Sequence, residues 1–353
     1  MKTDDGLFEP EGISSFDPET FGGLKKKEEW KYAPIEEVES FALPFEPSNT
    51  SRILLNGSEA LEGKAEKLLT PRDKVEAAGF ASVRRAFPIQ MPAGGSEIKV
   101  INEGGRDAAF LSLDFMEAKN SDALLSLEGE GQGVYFLDVK AGAGSQVSLT
   151  VLCRNGGKKF IYDATRIGRD AKVKRNLVCL GEGFTRYSSG AYFTAPGGEA
   201  EMNGAYFACG RGYMECRVRV AHSMPGCRSR VSYRGALLGA EARSAWVGES
   251  IIGKGGRGSD SYEANKDFVL TPGAKSFSEP RLEIKNGDIA SAGHSSSVGY
   301  FDPDQLFYLG SRGIGEEEAK KMIIAGFFDE LFSQMGSKEA VKEFKDFCRK
   351  AGV

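Results

Sequence analysis

The sequence predicts a mainly β protein with a small helical region at each end, and two observations support this prediction. Short runs rich in Val, Ile, Leu, Tyr and Phe follow one another between residues 78 and 301, separated by turns rich in Gly, Asn, Asp and Ser. A clear helical spacing of apolar residues is confined to the end of the chain. We therefore divide the chain into an N-terminal arm with a small helical region (residues 1–77), a β core (residues 78–301) and a C-terminal helical region (residues 302–353).

The β-rich runs allow two architectures. They recur at intervals of roughly 20–30 residues, which is within the range of stacked repeats, although the intervals are irregular. A large β-sandwich and a parallel β-solenoid both fit this pattern, and the spacing does not decide between them. The predicted strands lie at residues 98–101, 134–139, 147–152, 177–180, 205–208, 216–220 and 231–233.

The N-terminal region gives weaker signals. Glycines and prolines interrupt residues 1–25, which we expect to form a flexible arm. Trp30 and Tyr32 are expected to pack in a small cluster that anchors this region. Residues 59–76 predict a short helix broken at Pro71.

Composition argues against several classes of function. A formal charge of −4 and a pI near 5.6 do not provide the clustered basic charge that nucleic-acid binding requires. No stretch approaches the roughly 20 apolar residues needed to cross a bilayer, so we expect no membrane partner. Residues 1–5 lack the apolar segment of a secretory signal, and we expect a cytoplasmic protein.

The six cysteines are expected to be reduced thiols. No two of them form a CxxC pair, which is the spacing typical of metal and redox sites. Cys216, His222 and Cys227 would make a metal site only if the fold brought them together. We favour buried, apolar cysteines instead.

One glycine-rich segment, residues 248–255, comes close to a phosphate-binding loop. The glycines and Lys254 have the required spacing, but Gly255 replaces the Ser or Thr hydroxyl that would hold magnesium. No amphipathic helix follows the segment. We therefore interpret these glycines as turn residues between strands and expect no ATPase activity in this chain.

The C-terminal region predicts three helices. Asp302 and Pro303 suit the N-cap and first position of the first helix. Gln305 would complete a capping box, and Gly310 would end the helix. Glutamates open the second helix, where its dipole favours negative charge; its apolar face is Ala319, Met322, Ile323, Phe327 and Leu331. The third helix, residues 337–349, has Ala340, Phe344 and Phe347 on one side.

His294 is the candidate functional residue of the core. It follows Gly293 and precedes three serines, and such small neighbours leave an imidazole accessible. A neutral imidazole binds iron and other transition metals, and it also transfers protons near neutral pH. A hydrogen-bonded structural histidine is the alternative.

The same stretch resembles a known family. Residues 293–294, 304–309 (DQLFYL), 311–314 (SRGI) and 316–319 (EEEA) match, in order, the histidine-containing strand and helical tail of the SufB/SufD iron–sulfur cluster assembly proteins. Residues 29–35 (EWKYAPI) are similar to the N-terminal element of that family. The chain is most similar to SufD. The resemblance implies that the core is a right-handed parallel β-helix, or β-solenoid, with helical regions at both ends.

The resemblance also implies a function. The chain would be a non-catalytic scaffold subunit of the SUF machinery that pairs with a SufB-type subunit and binds SufC, the ABC-type ATPase. His294 would lie at the interface with SufB, where iron or a nascent iron–sulfur cluster is handled, and the chain alone would hold no cofactor stably. The residues implied in SufC binding are Leu306, Phe307, Tyr308, Arg312, Ile314, Met322, Ile323 and Phe327.

The chain departs from the family where a cluster would need a ligand. Ala292 stands where many SufD sequences have a cysteine, and Asn265 and Lys266 lie near the position of the SufB cluster cysteine. At these positions the chain therefore has no soft thiolate of the kind that a cluster needs, and we expect that it does not hold a cluster by itself. Two alternatives remain. One is a β-solenoid enzyme such as a polysaccharide lyase, and the other is a homodimeric SufB/SufD paralogue that acts without SufB.

Overall fold

The structure, a computed structural model, describes residues 14–24, 28–65, 69–117 and 119–353. It is mainly β, with 48% of the residues in strands and 19% in helices, and its core is a parallel β-solenoid of about eight turns. The predicted solenoid is confirmed, and the alternative of a β-sandwich is wrong. Most of the predicted flexible arm, residues 1–13, lies outside the described residues.

The regular elements follow one another along the chain with short connections. Three short 3₁₀ helices lie at Pro18–Phe21, Glu28–Trp30 and Glu39–Phe41. The α-helices are α1 Ile35–Val38, α2 Lys74–Ser82, α3 Pro303–Ser311, α4 Glu316–Gln334 and α5 Lys338–Lys350. The strands are β1 Arg52–Leu55, β2 Ser58–Glu59, β3 Arg85–Gln90, β4 Gly94–Ile101, β5 Arg106–Phe115, β6 Asn120–Glu128, β7 Gln132–Ala141, β8 Gln146–Asn155, β9 Lys158–Ile167, β10 Lys172–Gly181, β11 Phe184–Phe193, β12 Glu199–Cys209, β13 Tyr213–His222, β14 Arg228–Leu238, β15 Arg243–Ile252, β16 Asp260–Val269, β17 Lys275–Ile284 and β18 Ser291–Gly299.

The strands form two sheets. The odd-numbered strands from β3 to β17 make one, the odd sheet; the even-numbered strands from β4 to β18, extended by β1 and β2, make the other, the even sheet. From β3 onward neighbouring strands are parallel, so each turn of the chain adds one strand to each sheet. β1 pairs antiparallel with both β2 and β4. At the other end, β17 and β18 are the last strands of their sheets, and we call this pair the open end.

The interior of the solenoid is a continuous apolar core shared by the two sheets. In β8, Leu149, Val151 and Cys153 belong to this interior, while Leu152 faces outward against the C-terminal helices. Both faces of the strand are therefore buried, which explains why the sequence shows unbroken apolar runs rather than strict alternation. Apolar and polar residues alternate with a period of two in a strand that has one exposed face, and this alternation is lost in such runs.

The interior becomes more polar toward the open end. The carboxylate of Asp267 accepts hydrogen bonds from the hydroxyls of Tyr206, Ser244 and Ser276. Nearby, Nε2 of the buried His222 lies 2.8 Å from Oγ of Ser229. Burial lowers the pKa of His222 to about 4, so this histidine is neutral in the fold.

All six cysteines are free thiols, and five of them are buried. Within the described residues, no three His, Cys, Asp or Glu side chains are grouped so that they could hold a metal ion. The structure therefore gives Cys216, His222 and Cys227 no shared metal site. The prediction of buried cysteines is confirmed for Cys216 and Cys227.

Each sheet has a covering on its outer face. Residues 28–42 and 69–83, which we call the N-terminal covering, pack on the odd sheet. Helices α4 and α5, the C-terminal covering, pack on the even sheet. Both coverings bury apolar side chains that would otherwise leave the outside of the solenoid exposed to water.

The helix predicted for residues 59–76 is wrong. Glu59 ends the short strand β2, and the helix of this region, α2, begins only at Lys74. The N–H of Gly63 donates to the carbonyl of Ala86 in β3, so this segment is hydrogen-bonded to a strand. Asp73 caps α2 by accepting the N–H of Glu76 at 2.8 Å, which places the helix start after Pro71.

The predicted start of α3 is confirmed, but its predicted end is wrong. Asp302 is the N-cap and accepts the N–H of Asp304 at 2.9 Å. Gly310 lies inside the helix, and the residue with positive φ is Gly313, at +84°. The N–H of Ile314 donates to the carbonyl of Leu309 and that of Gly313 to the carbonyl of Gly310, which is the Schellman pattern.

The buried face of α4 differs from the predicted one. Its buried residues are Ala319, Ile324, Phe328, Leu331 and Phe332, whereas Met322 is 48% exposed. Residues 322–324, 327–328 and 331–332 provide two adjacent apolar stripes, and helical spacing fits both. Contact with the even sheet selects the stripe that contains Ile324 and Phe328. In α5, Ala340 and Phe344 are buried as predicted, together with Cys348, and Phe347 is half-buried.

Candidate functional site at the open end

His294 lies in the middle of β18, the outermost strand of the even sheet. Its side chain is 43% exposed, so the imidazole is accessible as the small neighbouring residues predict. Among the residues that the structure describes, β18 pairs on one flank, with β16, and on the other flank with no strand. The backbone groups on the other flank are therefore available to another molecule.

Glu263 is the nearest ionisable neighbour of His294. It lies directly beside His294 in the register of β16 and β18, and its Oε1 is 3.9 Å from the ring Nδ1. The Glu263 side chain is only 1% exposed, and Oε1 accepts the backbone N–H of Arg281 at 3.1 Å. Burial, with repulsion from Glu249, raises the pKa of Glu263 to about 8.

A segment of the N-terminal covering reaches the open end. Residues 28–32, which we call the N-terminal strap, lie across the outside of β17. The Tyr32 hydroxyl donates to Glu279 at 2.6 Å, and its ring stacks on Phe277 at 4.9 Å between centroids. Arg281 bonds to Glu28 at 2.5 Å. Although burial opposes ionisation, hydrogen bonds from Tyr32 and Arg281 hold the pKa of Glu279 at about 2.

A buried ionic cluster fixes the rest of the N-terminal covering. Arg186, on β11, lies 3.3 Å from carboxylate oxygens of both Asp73 and Glu215. Its guanidinium also stacks on the ring of Trp30 at 3.7 Å, so the predicted packing of Trp30 is confirmed. Burial opposes ionisation of Glu215, but Arg186 and Arg217 outweigh it and lower the pKa of this carboxylate. The cluster joins three distant parts of the sequence and is positioned for structure rather than chemistry.

The residues predicted to bind the ATPase lie on α3, the following turn and α4. No residue of α3 is buried, and Phe307 and Tyr308 are 79% and 56% exposed. Arg312 and Met322 are also exposed. Leu306, Ile314, Ile323 and Phe327 are half-buried. Four of the eight predicted residues are thus exposed and four are half-buried.

The segment that resembles a phosphate-binding loop has no such structure. Gly248 lies inside strand β15, and after the turn the chain continues as strand β16. A phosphate-binding loop needs a helix at this point, because the N–H groups of the helix N-terminus hold the phosphates. The interpretation of these glycines as strand and turn residues is confirmed. Among the described residues, no helix is long and apolar enough to span a membrane.

Sequence reasoning missed Glu263 and Arg186. Both are charged residues within β-rich runs, and each acquires its role from side chains that are distant in sequence. Glu263 could have been found from the parallel pairing of β16 with β18, but that pairing can be predicted only if the number of residues in one turn of the solenoid is known. This number varies along the chain: one turn separates Gln146 from its neighbour Lys172, and a longer one separates Arg228 from its neighbour Asp260.

Comparison with known proteins relates the chain to one family. Residues 115–327 match the family model described as SUF system FeS cluster assembly, SufBD core domain. An iron–sulfur cluster assembly SufBD family protein of Mycobacterium tuberculosis is 35% identical over 287 residues, covering 76% of this chain and 72% of its own length.

More distant relatives bear the SufD name. The iron–sulfur cluster assembly protein SufD of Escherichia coli is 24% identical over 172 residues, covering 49% of this chain and 40% of its own length. The SufD protein of Bacillus subtilis is 26% identical over 168 residues, covering 48% of this chain and 38% of its own length.

Proposed function

This chain belongs to the SufBD family of iron–sulfur cluster assembly proteins, and we propose that it is a non-catalytic scaffold subunit of the SUF machinery. In this proposal it pairs with a SufB-type subunit and binds a SufC-type ATPase in the cytoplasm. ATP hydrolysis resides in the ATPase. The chain belongs to a family of cluster assembly proteins, and this gives no support to the alternative of a polysaccharide lyase.

The observation that carries the proposal is the exposure of α3. A nine-residue helix with no buried residue, projecting Phe307 and Tyr308 into solvent, contributes little to this chain's own core. Exposed apolar patches of this kind mark protein interaction sites. We assign this surface to the SufC-type ATPase, with Arg312 and Met322 adding to it and the half-buried Leu306, Ile314, Ile323 and Phe327 supporting it.

We assign the open end to the SufB-type subunit. Unpaired strand edges there can accept a partner strand, since peptide groups at a sheet edge lack hydrogen-bond partners from their own chain. Large apolar side chains near this edge are exposed to solvent: Tyr262, Phe277, Ile284, Val298 and Tyr300. A partner seated here would place His294 at the interface, where iron or a nascent cluster is the cargo.

Co-purification tests the proposal. The full-length chain and a variant truncated after Asp302 are each co-expressed with the SufB-type and SufC-type proteins of the same cell. We expect a complex of all three with the full-length chain, and loss of one ATPase on truncation. A Phe307→Ala, Tyr308→Ala double variant should weaken ATPase binding without lowering stability, because both side chains are exposed. Lys338→Ala, an exposed change away from this surface, is the matched control.

The same experiment separates the remaining alternative. A stable homodimer that binds the ATPase and assembles a cluster without a SufB-type subunit would favour a paralogue acting alone. If the full-length chain purifies without either partner while both are present, the scaffold proposal is wrong.

A further inference from the structure

Glu263 is a buried carboxylate without a permanent cation. In the described part of the chain, no Lys or Arg side chain forms an ion pair with it, and its ionisable partner is the ring of His294. Among the other buried carboxylates, Glu215 pairs with Arg186, and Asp267 is held by three hydroxyl groups. Burial makes ionisation of such a carboxyl group costly, and a bound cation would offset that cost.

The separation of the two side chains suits a shared ion better than a direct bond. At 3.9 Å, Nδ1 of His294 and Oε1 of Glu263 are too far apart for a hydrogen bond. Metal–imidazole and metal–carboxylate bonds are each about 2.0–2.2 Å long, so one ion between the two atoms would contact both. Adjacent parallel strands hold the two residues side by side, which leaves only side-chain rotation to adjust the distance.

The donor set indicates the class of metal. One imidazole nitrogen and one carboxylate oxygen suit a divalent first-row ion such as ferrous iron, and neither is the soft ligand that a complete cluster requires. His294 is half-exposed and belongs to an edge strand, so an ion bound there would be open to further ligands. Water, or a ligand from a bound partner, has access to it.

We propose that Glu263 and His294 form a two-residue site that binds a ferrous ion at the open end before a cluster is built. This inference rests on the proposed function, since the ion is the cargo of cluster assembly, and it adds a second ligand and a metal class to that site. Glu263 contributes a carboxyl oxygen as a second donor beside the single imidazole nitrogen. A purely structural role, in which Glu263 only accepts the Arg281 N–H, requires no metal at all.

Anaerobic equilibrium dialysis of the purified full-length chain against ferrous iron tests the inference, with cobalt(II) absorption as a spectroscopic check on coordination. The variants are Glu263→Gln and His294→Asn. Glu283→Gln, which changes an exposed carboxylate of β17, is the matched control. Because the glutamine amide oxygen still accepts the Arg281 N–H, Glu263→Gln is expected to fold, and its melting temperature without metal checks this.

We expect one ferrous ion per chain that is lost, or bound at least about tenfold more weakly, in each of the two site variants but not in the control. The rise in melting temperature on adding iron should disappear in the same variants. Iron binding that is unchanged in Glu263→Gln, or absent from the wild-type chain, would overturn the inference.

Partner binding by the same variants keeps this test separate from that of the proposed function. If the variants and the wild type form the three-protein complex but iron does not bind at these residues, the metal site is wrong and the scaffold proposal stands. If iron binds through both residues while no partner is captured, the metal site stands and the scaffold proposal is wrong.

Discussion

The two coverings of the solenoid both pack through aromatic rings, but they differ in how deeply their ion pairs are buried. Buried charged groups fix the N-terminal covering, with Arg186 between Asp73 and Glu215. The C-terminal covering packs through aromatic rings such as Phe328 and Phe344, whose centroids are 4.5 Å apart. Ion pairs with hydrogen bonds demand one geometry, whereas aromatic packing has several nearly equivalent ones. We therefore expect the N-terminal covering to depend more strongly on its charged groups than the C-terminal covering does.

The largest expected effect on this difference comes from removing the guanidinium of Arg186, which lies between Asp73 and Glu215. Arg186→Met removes the cation that Asp73 and Glu215 share and leaves Arg217 as the cation beside Glu215, and we expect it to lower the free energy of unfolding by about 3–5 kcal/mol. Chemical denaturation measures the loss. Arg234→Met is the control for the C-terminal covering. Arg234 lies on β14 and pairs with Glu330 of α4, whose side chain is 68% exposed. That change should cost only about 1–2 kcal/mol, and equal losses in the two variants would contradict the contrast.

The second prediction concerns pH. Burial and the nearby Asp73 raise the pKa of Glu76 to about 8 in the fold, from about 4.5 in the unfolded chain. The folded state therefore keeps a proton that the unfolded state loses, and stability falls as pH rises between these two values. The slope is at most about 1.4 kcal/mol per pH unit.

Hydrogen exchange, corrected for its intrinsic pH dependence, should show residues 69–83 opening more readily at about pH 8 than at about pH 6. Helices α4 and α5 should show no comparable change, and Glu76→Gln should remove the effect. A pH response that is equal in both coverings would argue against Glu76 as its cause.

The smallest predicted effect is a change in stability that identifies which face of α4 is buried in the C-terminal covering. Ile324→Val shortens a buried side chain of α4 and should cost about 0.5–1.5 kcal/mol, because it leaves a small cavity against the even sheet. Met322→Ala, two residues away and exposed, should change stability by about 0.5 kcal/mol or less. A larger loss of stability in Met322→Ala than in Ile324→Val would indicate that the face of α4 predicted from the sequence is the buried one.

The sequence predicts the β-rich core, the solenoid by resemblance, and the capped start of α3, because these depend on composition, local residues or long motifs. It does not predict which apolar stripe of α4 is buried, because Met322 and Ile324 both fit helical spacing and only the even sheet distinguishes them. The contacts of Arg186 and Glu263 cannot be predicted from the sequence for another reason. Their partners depend on which strands pair, and the solenoid turns that bring those strands together vary in length.

The N-terminal strap has a consequence for the order in which the protein is made. Solenoids add structure turn by turn as the chain emerges, since each turn contacts only its neighbours. The strap is an exception, because Tyr32 bonds to Glu279, 247 residues later in the chain. At about 5–20 residues per second, a ribosome takes roughly 10–50 s to reach that point. The contact of Tyr32 must wait for that time, so its closure over β17 reports that all strands of the solenoid except β18 have been made.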